Sequence, residues 1–174
     1  MKTRKMDLSE ITKVIDPIIG MRQKDWYLVS ATANGTTNAL TAAWGGFGNV
    51  CERPVVTVYI RPQRYTKKNI DASGRFTMTY FDFPKYEKAL VYMGSHSGAD
   101  EPDKIQKAGL TLTEIDGQTT YAEGKYVFIC KPFFRQQLAP ESFLDKDIMS
   151  AAFPDQDFSF MYIAEIEAVY EILA

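Results

Sequence analysis

The sequence has very few of the side chains with which most enzymes carry out chemistry themselves. His96 is its only histidine, and Cys51 and Cys130 are its only cysteines, far apart and outside any Cys-x-x-Cys spacing. A zinc site of the usual type needs several such ligands, and a Ser-His or Cys-His nucleophile would have to use His96 without a Gly-x-Ser-x-Gly motif. We therefore predict no metal site, and we expect any chemistry to depend on a bound cofactor.

Long apolar runs and a strong net charge are also missing. No segment approaches the roughly 18 consecutive apolar residues of a membrane-spanning helix, and the basic residues 1–5 are followed by Asp7 and Glu10 rather than by the apolar run of a secretion signal. The formal net charge of -2 gives no general attraction to nucleic acid or anionic lipid. These features predict a cytoplasmic protein with two free thiols, in which any anion is recognised by a local basic cluster.

Short alternating segments between turn residues predict a mainly β protein, with residues 1–174 as a single domain. Strands are predicted over residues 26–33, 36–44, 55–60, 75–81, 110–113, 125–130 and 161–173. The last segment suits a helix by composition, but its apolar residues repeat every second position, which favours a strand. Asn34-Gly35 predicts a two-residue hairpin turn, and residues 45–48 predict a loop. Such a set of antiparallel strands usually closes into a barrel, because closure leaves no edge unpaired.

The segment after residue 60 is the most basic stretch of the chain. Arg61 and Arg64 flank Pro62, and Thr66 is predicted to cap a short helix over residues 67–72. A helix start offers unpaired N–H groups and a partial positive charge, and arginine adds planar donors that suit phosphate. These residues predict a phosphate site; a solvated turn is the alternative.

A strand rich in alanine is the second candidate element. Ala39, Ala42 and Ala43 are poor strand formers. Their use suits a planar ring lying close to the backbone, with Asn38 and Thr41 adding side-chain hydrogen bonds. A tightly packed strand crossing is the competing explanation for these small residues.

Two further helices, over residues 84–92 and 103–108, flank a polar loop. This loop, residues 94–98, places Ser95, His96 and Ser97 between two glycines. Such a loop can wrap a ligand or form a simple turn. His96 is a candidate to donate to a ring carbonyl or to guide a hydride donor, and an exposed bystander is the competing interpretation.

Three stretches of the chain together resemble the flavin reductase-like, FMN-binding split-barrel family, and within it the flavoredoxin-type members. They are residues 38–44, residues 61–70 with 73–76, and residues 97–104. The second is the most specific, because an arginine-rich turn, a short helix and the pair Asn69-Ile70 occur together there. The resemblance extends over most of the chain. It implies a Greek-key split β-barrel that binds FMN noncovalently at a homodimer interface and receives electrons from NAD(P)H or a protein donor.

The resemblance also implies which residues hold the flavin. Residues 38–44 would line the isoalloxazine ring, the basic turn would hold the ribityl phosphate, and the 97–104 loop would close on the flavin, with Lys104 as a candidate positive group near N1. The candidate cofactor-binding residues are Asn38, Ala39, Leu40, Thr41, Ala42, Ala43, Trp44, Arg61, Gln63, Arg64, Tyr65, Thr66, Ser97, Gly98 and Lys104. No catalytic acid or base is assigned, because flavin N5 would be the reactive centre; His96 is the only side chain considered for a catalytic role.

The loop departs from the family pattern in two ways. Residues 97–100 read Ser-Gly-Ala-Asp where the family carries an arginine at the third position, and an extra residue precedes Asp103. We expect this loop to close differently, which leaves the docking of a pyridine nucleotide open. Three functions therefore stand: an FMN-dependent oxidoreductase that uses NAD(P)H, an FMN-holding electron carrier without that activity, and a β-barrel interaction module.

The C-terminal third is unusually rich in phenylalanine. Two interpretations are open, a homodimer contact and caps at the ends of the barrel. The residues concerned are Phe133, Phe134, Phe143, Phe153, Phe158 and Phe160.

Overall fold

Most of the strands lie in one antiparallel sheet in the computed structural model, which describes residues 1–10 and 26–173. The strands are β1 (Lys2–Met6), β2 (Tyr27–Ala33), β3 (Thr36–Ala42), β4 (Gly45–Val50), β5 (Arg53–Ile60), β6 (Phe76–Tyr80), β7 (Leu112–Ile115), β8 (Gln118–Tyr121), β9 (Tyr126–Gln137) and β10 (Phe160–Leu173). The helices are α1 (Tyr65–Ser73), α2 (Phe83–Ser95), α3 (Lys104–Lys107) and α4 (Lys146–Ala152). Within the described ranges, no helix is long and apolar enough to cross a membrane.

The large sheet has eight strands, and one edge of β10 pairs with two different strands, β5 and β1. Its order is β3-β2-β6-β9-β10-β5-β4, and β1 pairs with β10 outside this path. Residues 160–165 of β10 pair with β5 and residues 169–173 pair with β1, whereas β9 covers the opposite edge. The two ends of the path, β3 and β4, follow each other in the chain, and the Tyr27 hydroxyl donates to the Trp44 carbonyl between them at 2.8 Å. A separate hairpin pairs β7 with β8.

Alternation along β2 and β3 sends side chains into two different cores. Val29 and Leu40 belong to the barrel interior, which is filled mainly by β-branched and aromatic residues. Leu28 and Ala39 belong to a second core, beneath α2 and α3. Since period-two alternation places neighbouring residues on opposite faces, β3 presents one face to the barrel and the other to α2.

The hairpin turn and the final strand are as predicted. Asn34 and Gly35 have φ of 51° and 74°, the left-handed pair that a tight turn between twisted strands requires. Residues 160–173 form β10, in which buried positions alternate with more exposed ones through much of the strand. Periodicity was therefore the better guide than composition for this segment.

The predicted loop at residues 45–48 is wrong, because these residues form β4. A run of glycines ordinarily signals a break in a strand. Here Gly45 has φ 147°, and a side chain at this position would overlap the Thr57 carbonyl oxygen. Glycine is used because the backbones of β4 and β5 approach too closely for a Cβ atom.

Other element boundaries also differ from the prediction. Helix α2 continues through Gly94 and Ser95, so the polar loop starts only at His96. Strand β7 begins two residues later than predicted, and β9 runs to Gln137. Strands β1 and β8 and helix α4 were not predicted.

Candidate functional site

The structure brings every sequence-predicted binding residue to one of two adjoining clefts. The helix cleft, about 250 Å³, is lined by residues 38–40, 63–66, 95–98 and Lys104. The strand cleft, about 140 Å³, is lined by residues 40–44, 59–61, Arg64 and Ser159. Leu40 and Arg64 are walls of both clefts, so the two spaces form one composite candidate site.

Helix α1 is fixed so that its N-terminus faces the helix cleft. The Asn69 side chain donates to the carbonyls of Ala31 and Thr36, at 3.0 and 2.9 Å, across the β2–β3 hairpin. Ile70 is buried in the barrel core, and Gly74 ends the helix with φ 67°. The Asn69-Ile70 pair therefore contributes to the site by holding the helix rather than by lining the clefts.

Thr66 does not cap α1, which corrects the sequence-based prediction. The helix begins at Tyr65 with Arg64 in the N-cap position. The Thr66 hydroxyl instead accepts a hydrogen bond from the Asn38 amide at 3.0 Å, and both residues are buried. Because arginine has no acceptor atom, its side chain cannot cap the first N–H groups of the helix. The partial positive charge of the helix start is thus directed at the cleft.

Arg64 places a fixed positive charge between the two clefts. Its Nη1 donates to the Gly94 carbonyl at 2.6 Å, which ties the turn before α1 to the end of α2. Burial lowers the pKa of Arg64; nearby Arg61 acts in the same direction and Asp157 opposes it. Guanidinium groups nevertheless stay protonated throughout the physiological range, so Arg64 is a cation in a partly desolvated position.

Arg61 already has an anionic partner, unlike what the sequence suggested. Its guanidinium forms an ion pair with Asp157, donates to the Ala152 carbonyl at 2.8 Å and lies over the Phe153 ring. Gln63 donates to the other Asp157 oxygen at 2.7 Å. Hydrogen bonds from these two side chains hold the pKa of Asp157 below its usual value. Arg64 is therefore the stronger of the two arginine candidates for an incoming anion.

Asp157 is an influential residue that sequence reasoning missed. It comes from the segment between α4 and β10, which is 96 residues from Arg61 in sequence. A single carboxylate in a polar segment gives no periodic or motif signal. Sequence reasoning also missed Tyr59, Ile60 and Ser159, which line the strand cleft. None of them belongs to a motif that marks a binding site.

Lys104 is almost fully buried and points its ammonium at backbone carbonyls. Nζ donates to Ala39 at 2.6 Å, to His96 at 2.9 Å and to Met93 at 3.3 Å. Burial lowers its pKa to about 8, Arg64 acts in the same direction and Glu101 opposes both. The resemblance implied that Lys104 would place a positive charge beside the flavin ring. These contacts do not support that role, since the ammonium donates to three carbonyls of the protein itself.

His96 is held against α2 rather than projecting freely. Its ring stacks on Tyr92, with centroids 3.9 Å apart and planes 17° from parallel. Nδ1 lies 3.0 Å from both the Tyr92 carbonyl and the Ser95 hydroxyl. If Nδ1 carries the proton toward the Tyr92 carbonyl, Nε2 is an acceptor in the neutral ring. His96 lines the helix cleft, but its orientation is set by the helix end.

Gly98 is required by a close approach to Asn38. A Cβ at residue 98 would overlap Asn38 Oδ1 and lie 2.7 Å from its Cγ. The Ser97 hydroxyl accepts from the Ala99 amide at 3.2 Å and shapes the turn. This part of the 97–104 loop therefore rests directly on the β3 wall of the helix cleft.

Replacing Gly98 with alanine should destabilise the protein by about 1–3 kcal/mol, as overpacking of a filled site does. Asn38 would have to move, and its hydrogen bond to Thr66 would be lost. Denaturant unfolding measures the change in the free energy of unfolding. The matched control is Gly48→Ala, because a Cβ there meets nothing within 4 Å; equal stability of the two variants would contradict the contact.

The strand cleft combines small side chains with exposed aromatic surface. Ala43, just after β3, is exposed at this cleft, whereas Ala42 is buried in the barrel core and Ala39 beneath α2, so tight packing explains those two alanines. The Thr41 hydroxyl donates to the Leu90 carbonyl at 2.6 Å and is occupied in joining β3 to α2. Trp44 is 47% exposed and meets Phe153 edge to face at 5.8 Å.

Five of the six C-terminal phenylalanines form two groups, and the sixth, Phe160, is partly buried against the barrel core. Phe143, Phe153 and Phe158 pack on one another with centroids 5.0–5.9 Å apart, next to Trp44. Phe133 and Phe134 are 45% and 41% exposed. The first group packs beside Trp44 of the strand cleft, and the second leaves an apolar surface elsewhere on β9.

Comparison with known proteins gives one sequence relative and clear structural similarity. No protein-family model matches the chain. An uncharacterised protein of Aeropyrum pernix is 31% identical over 122 residues, covering 69% of this chain and 43% of that protein. The chain thus spans less than half the length of this relative.

Two solved structures share the architecture at low sequence identity. The FMN-binding domain of a flavin reductases-like enzyme from Shewanella baltica has a TM-score of 0.70 at 20% identity, covering 98% of this chain and 77% of that one. Flavoredoxin of Desulfovibrio vulgaris has a TM-score of 0.62 at 23% identity, covering 83% and 67%. The chain therefore has the split-barrel fold of the flavin reductase-like, FMN-binding proteins, as the sequence resemblance implied.

Proposed function

We propose that this protein binds FMN noncovalently across the two clefts and acts as a flavin-dependent oxidoreductase. The observation that carries the proposal is the composite site itself: a cationic helix start and the exposed apolar surface of Ala43 and Trp44 share Arg64 as a common wall. The solved structures of the same fold described as FMN-binding add support.

The helix cleft suits the phosphate. It offers the N–H groups at the start of α1, the Arg64 guanidinium and the Ser97 hydroxyl. Two charge-assisted hydrogen bonds contribute roughly 1.5–3 kcal/mol each, and a helix terminus adds about 0.3–1 kcal/mol. Together they supply about half of the roughly 8 kcal/mol of a micromolar affinity, so a second, flat group must contribute the rest.

The strand cleft suits that second group. Each cleft is smaller than the roughly 300 Å³ at which ligand pockets usually begin, and a ligand with two distinct parts would fill both. Ala43 and the exposed Trp44 offer apolar surface, and the buried Ala42 and Ile60 complete the lining. A planar ring lying here would join its phosphate tail through the shared wall at Arg64.

The chain's own residues bind and orient, and the bound flavin supplies the hydride and electron transfer. Arg64 and the start of α1 hold the anionic end. Lys104 and His96 are engaged by backbone carbonyls, so no side chain is assigned as a proton donor or acceptor in the reaction. NAD(P)H as the electron source follows from the resemblance, and a cytoplasmic location is proposed from the two free cysteines.

A homodimer is also proposed, with the flavin at or near the interface. Trp44 at the strand cleft, together with Phe133 and Phe134, leaves apolar area that a second copy would cover. Exposed aromatic clusters of this kind mark interaction surfaces. Size-exclusion chromatography with light scattering, with and without FMN, tests this part.

The absorption spectrum of the purified protein, followed by titration with FMN, tests the main proposal. We expect a bound flavin spectrum and micromolar or tighter binding. With FMN present, NADH or NADPH should be oxidised far faster than in the protein-free control. A colourless protein that shows no thermal shift with FMN would leave an interaction module as the function.

An FMN-holding electron carrier is the second candidate function. Ala99 stands where the resembling family carries an arginine, and the loop before it rests on Asn38. Tight FMN binding with NAD(P)H oxidation no faster than the control would favour this carrier, which receives electrons from a protein donor.

A further inference from the structure

Lys104 connects β3 with the C-terminal end of α2 beside the helix cleft. Its Nζ holds the carbonyls of Ala39 in β3, Met93 in the last turn of α2 and His96 just after that helix. The side chain is 2% exposed, and within the described parts of the chain no carboxylate forms an ion pair with it. A buried ammonium whose partners are all neutral carbonyls is engaged in holding backbone.

The two walls of the helix cleft depend on this arrangement. Ala39 belongs to the β3 wall and His96 to the loop wall, and one Nζ atom bonds to both. We propose that Lys104 is a positioning residue that fixes the separation of these walls and thereby shapes the helix cleft for the phosphate of the ligand. This inference rests on the proposed function, and it gives Lys104 a role through the backbone carbonyls that it holds.

The number of donors explains why lysine is used. An ammonium carries three N–H donors, one for each carbonyl, whereas a neutral amine has two and directs a lone pair at the third. The Met93 carbonyl lies in the last turn of α2, where carbonyls lack partners within the helix, and a cation is favourable at that end. Loss of the proton therefore loosens the connection between the walls.

The protonation state is set by the groups around the ammonium. Burial lowers the pKa of Lys104 to about 8. The charged groups that act on it are Arg64 before α1 and Glu101 before α3; His96 contacts it through its backbone carbonyl, and β3 contributes no titratable group. Lys104 is thus mostly protonated at pH 7 and mostly neutral at pH 9.

Affinity and stability should respond to pH in opposite directions. A phosphate ligand needs the protonated, closed arrangement, so its affinity falls as pH rises through about 8. The folded pKa lies below the unfolded value of 10.5, so the unfolded chain binds more protons between these pH values. The contribution of this group to the free energy of unfolding therefore rises with pH across that window.

The test measures FMN and riboflavin affinity from pH 7 to pH 9 for the wild type and for Lys104→Met. If the neutral form binds FMN about tenfold more weakly than the protonated form, the wild-type dissociation constant for FMN rises about fivefold over this range. For K104M we expect a constant already about tenfold weaker at pH 7 and nearly independent of pH. Riboflavin, which lacks the phosphate, should change less than about threefold in either protein.

A measurement without ligand tests the same role. Hydrogen exchange of the amides in residues 94–98, at pH 7, should be faster in K104M than in the wild type. The control is Lys88→Met, which removes an exposed charge from α2 and should match the wild type in both measurements.

The outcomes separate this inference from the proposed function. If the wild type binds neither flavin, the proposed function fails, and exchange alone decides whether Lys104 holds the loop. If the wild type binds FMN with an affinity that does not fall between pH 7 and pH 9, the inference is overturned without any variant. Unchanged exchange and affinity in K104M would overturn it as well.

Discussion

Replacing Arg64 with methionine should weaken FMN binding by about 100-fold and riboflavin binding by less than about threefold. Loss of a bidentate, charge-assisted contact to phosphate removes about 3 kcal/mol, and each 1.4 kcal/mol corresponds to a factor of ten. Arg64 should show the largest effect among the basic residues because it is a wall of both clefts, whereas the charge of Arg61 is offset by Asp157. Calorimetric titration of both flavins measures the difference.

The comparison of two ligands identifies the phosphate as the group that Arg64 recognises. Arg64 also donates to the Gly94 carbonyl, so its removal disturbs the end of α2 to some extent. An equal loss of affinity for FMN and riboflavin would mean that this structural effect dominates and that the phosphate lies elsewhere. The control variant is Arg75→Met, which removes an arginine that pairs with Glu167 at 2.8 Å and lines neither cleft.

Replacing Gly45 with alanine should destabilise the protein by about 2–6 kcal/mol. Two costs add at this position: a strained positive φ of about 1–3 kcal/mol and overpacking of about 1–3 kcal/mol. The φ is 147°, and the new methyl group would overlap the Thr57 carbonyl oxygen and lie 3.1 Å from the Tyr27 hydroxyl. Since that hydroxyl donates to the Trp44 carbonyl, the strain reaches the wall of the strand cleft.

Thermal and denaturant unfolding of three proteins test this expectation. For a chain of this size, 1 kcal/mol corresponds to about 2–4 °C, so G45A should unfold about 10 °C below the wild type. Gly48→Ala makes the same change in the same strand, at a position with open space and no positive φ, and should lie close to the wild type. Similar melting temperatures for G45A and G48A would show that β4 and β5 are not in contact as described.

Local signals in the sequence were sufficient for much of the fold. The Asn34-Gly35 turn and the period-two pattern of β10 are properties of neighbouring residues, and both predictions are confirmed. Gly45 of β4 misled the prediction because the reason for it lies in another strand, at Thr57. From the sequence of one strand alone, a glycine that interrupts the strand cannot be distinguished from a glycine that lets another backbone approach closely.

The sequence by itself determined the chemistry available: one histidine, two cysteines, a basic turn before a helix and an alanine-rich strand. Only the tertiary structure decided how those groups are used. Arg61 is paired with a carboxylate 96 residues away, Thr66 bonds to Asn38 instead of capping its helix, and Lys104 reaches a carbonyl 65 residues away. The physical reason is that side-chain chemistry is local, whereas the partners that neutralise, bury or orient a polar group are supplied by distant segments that meet only when the barrel closes.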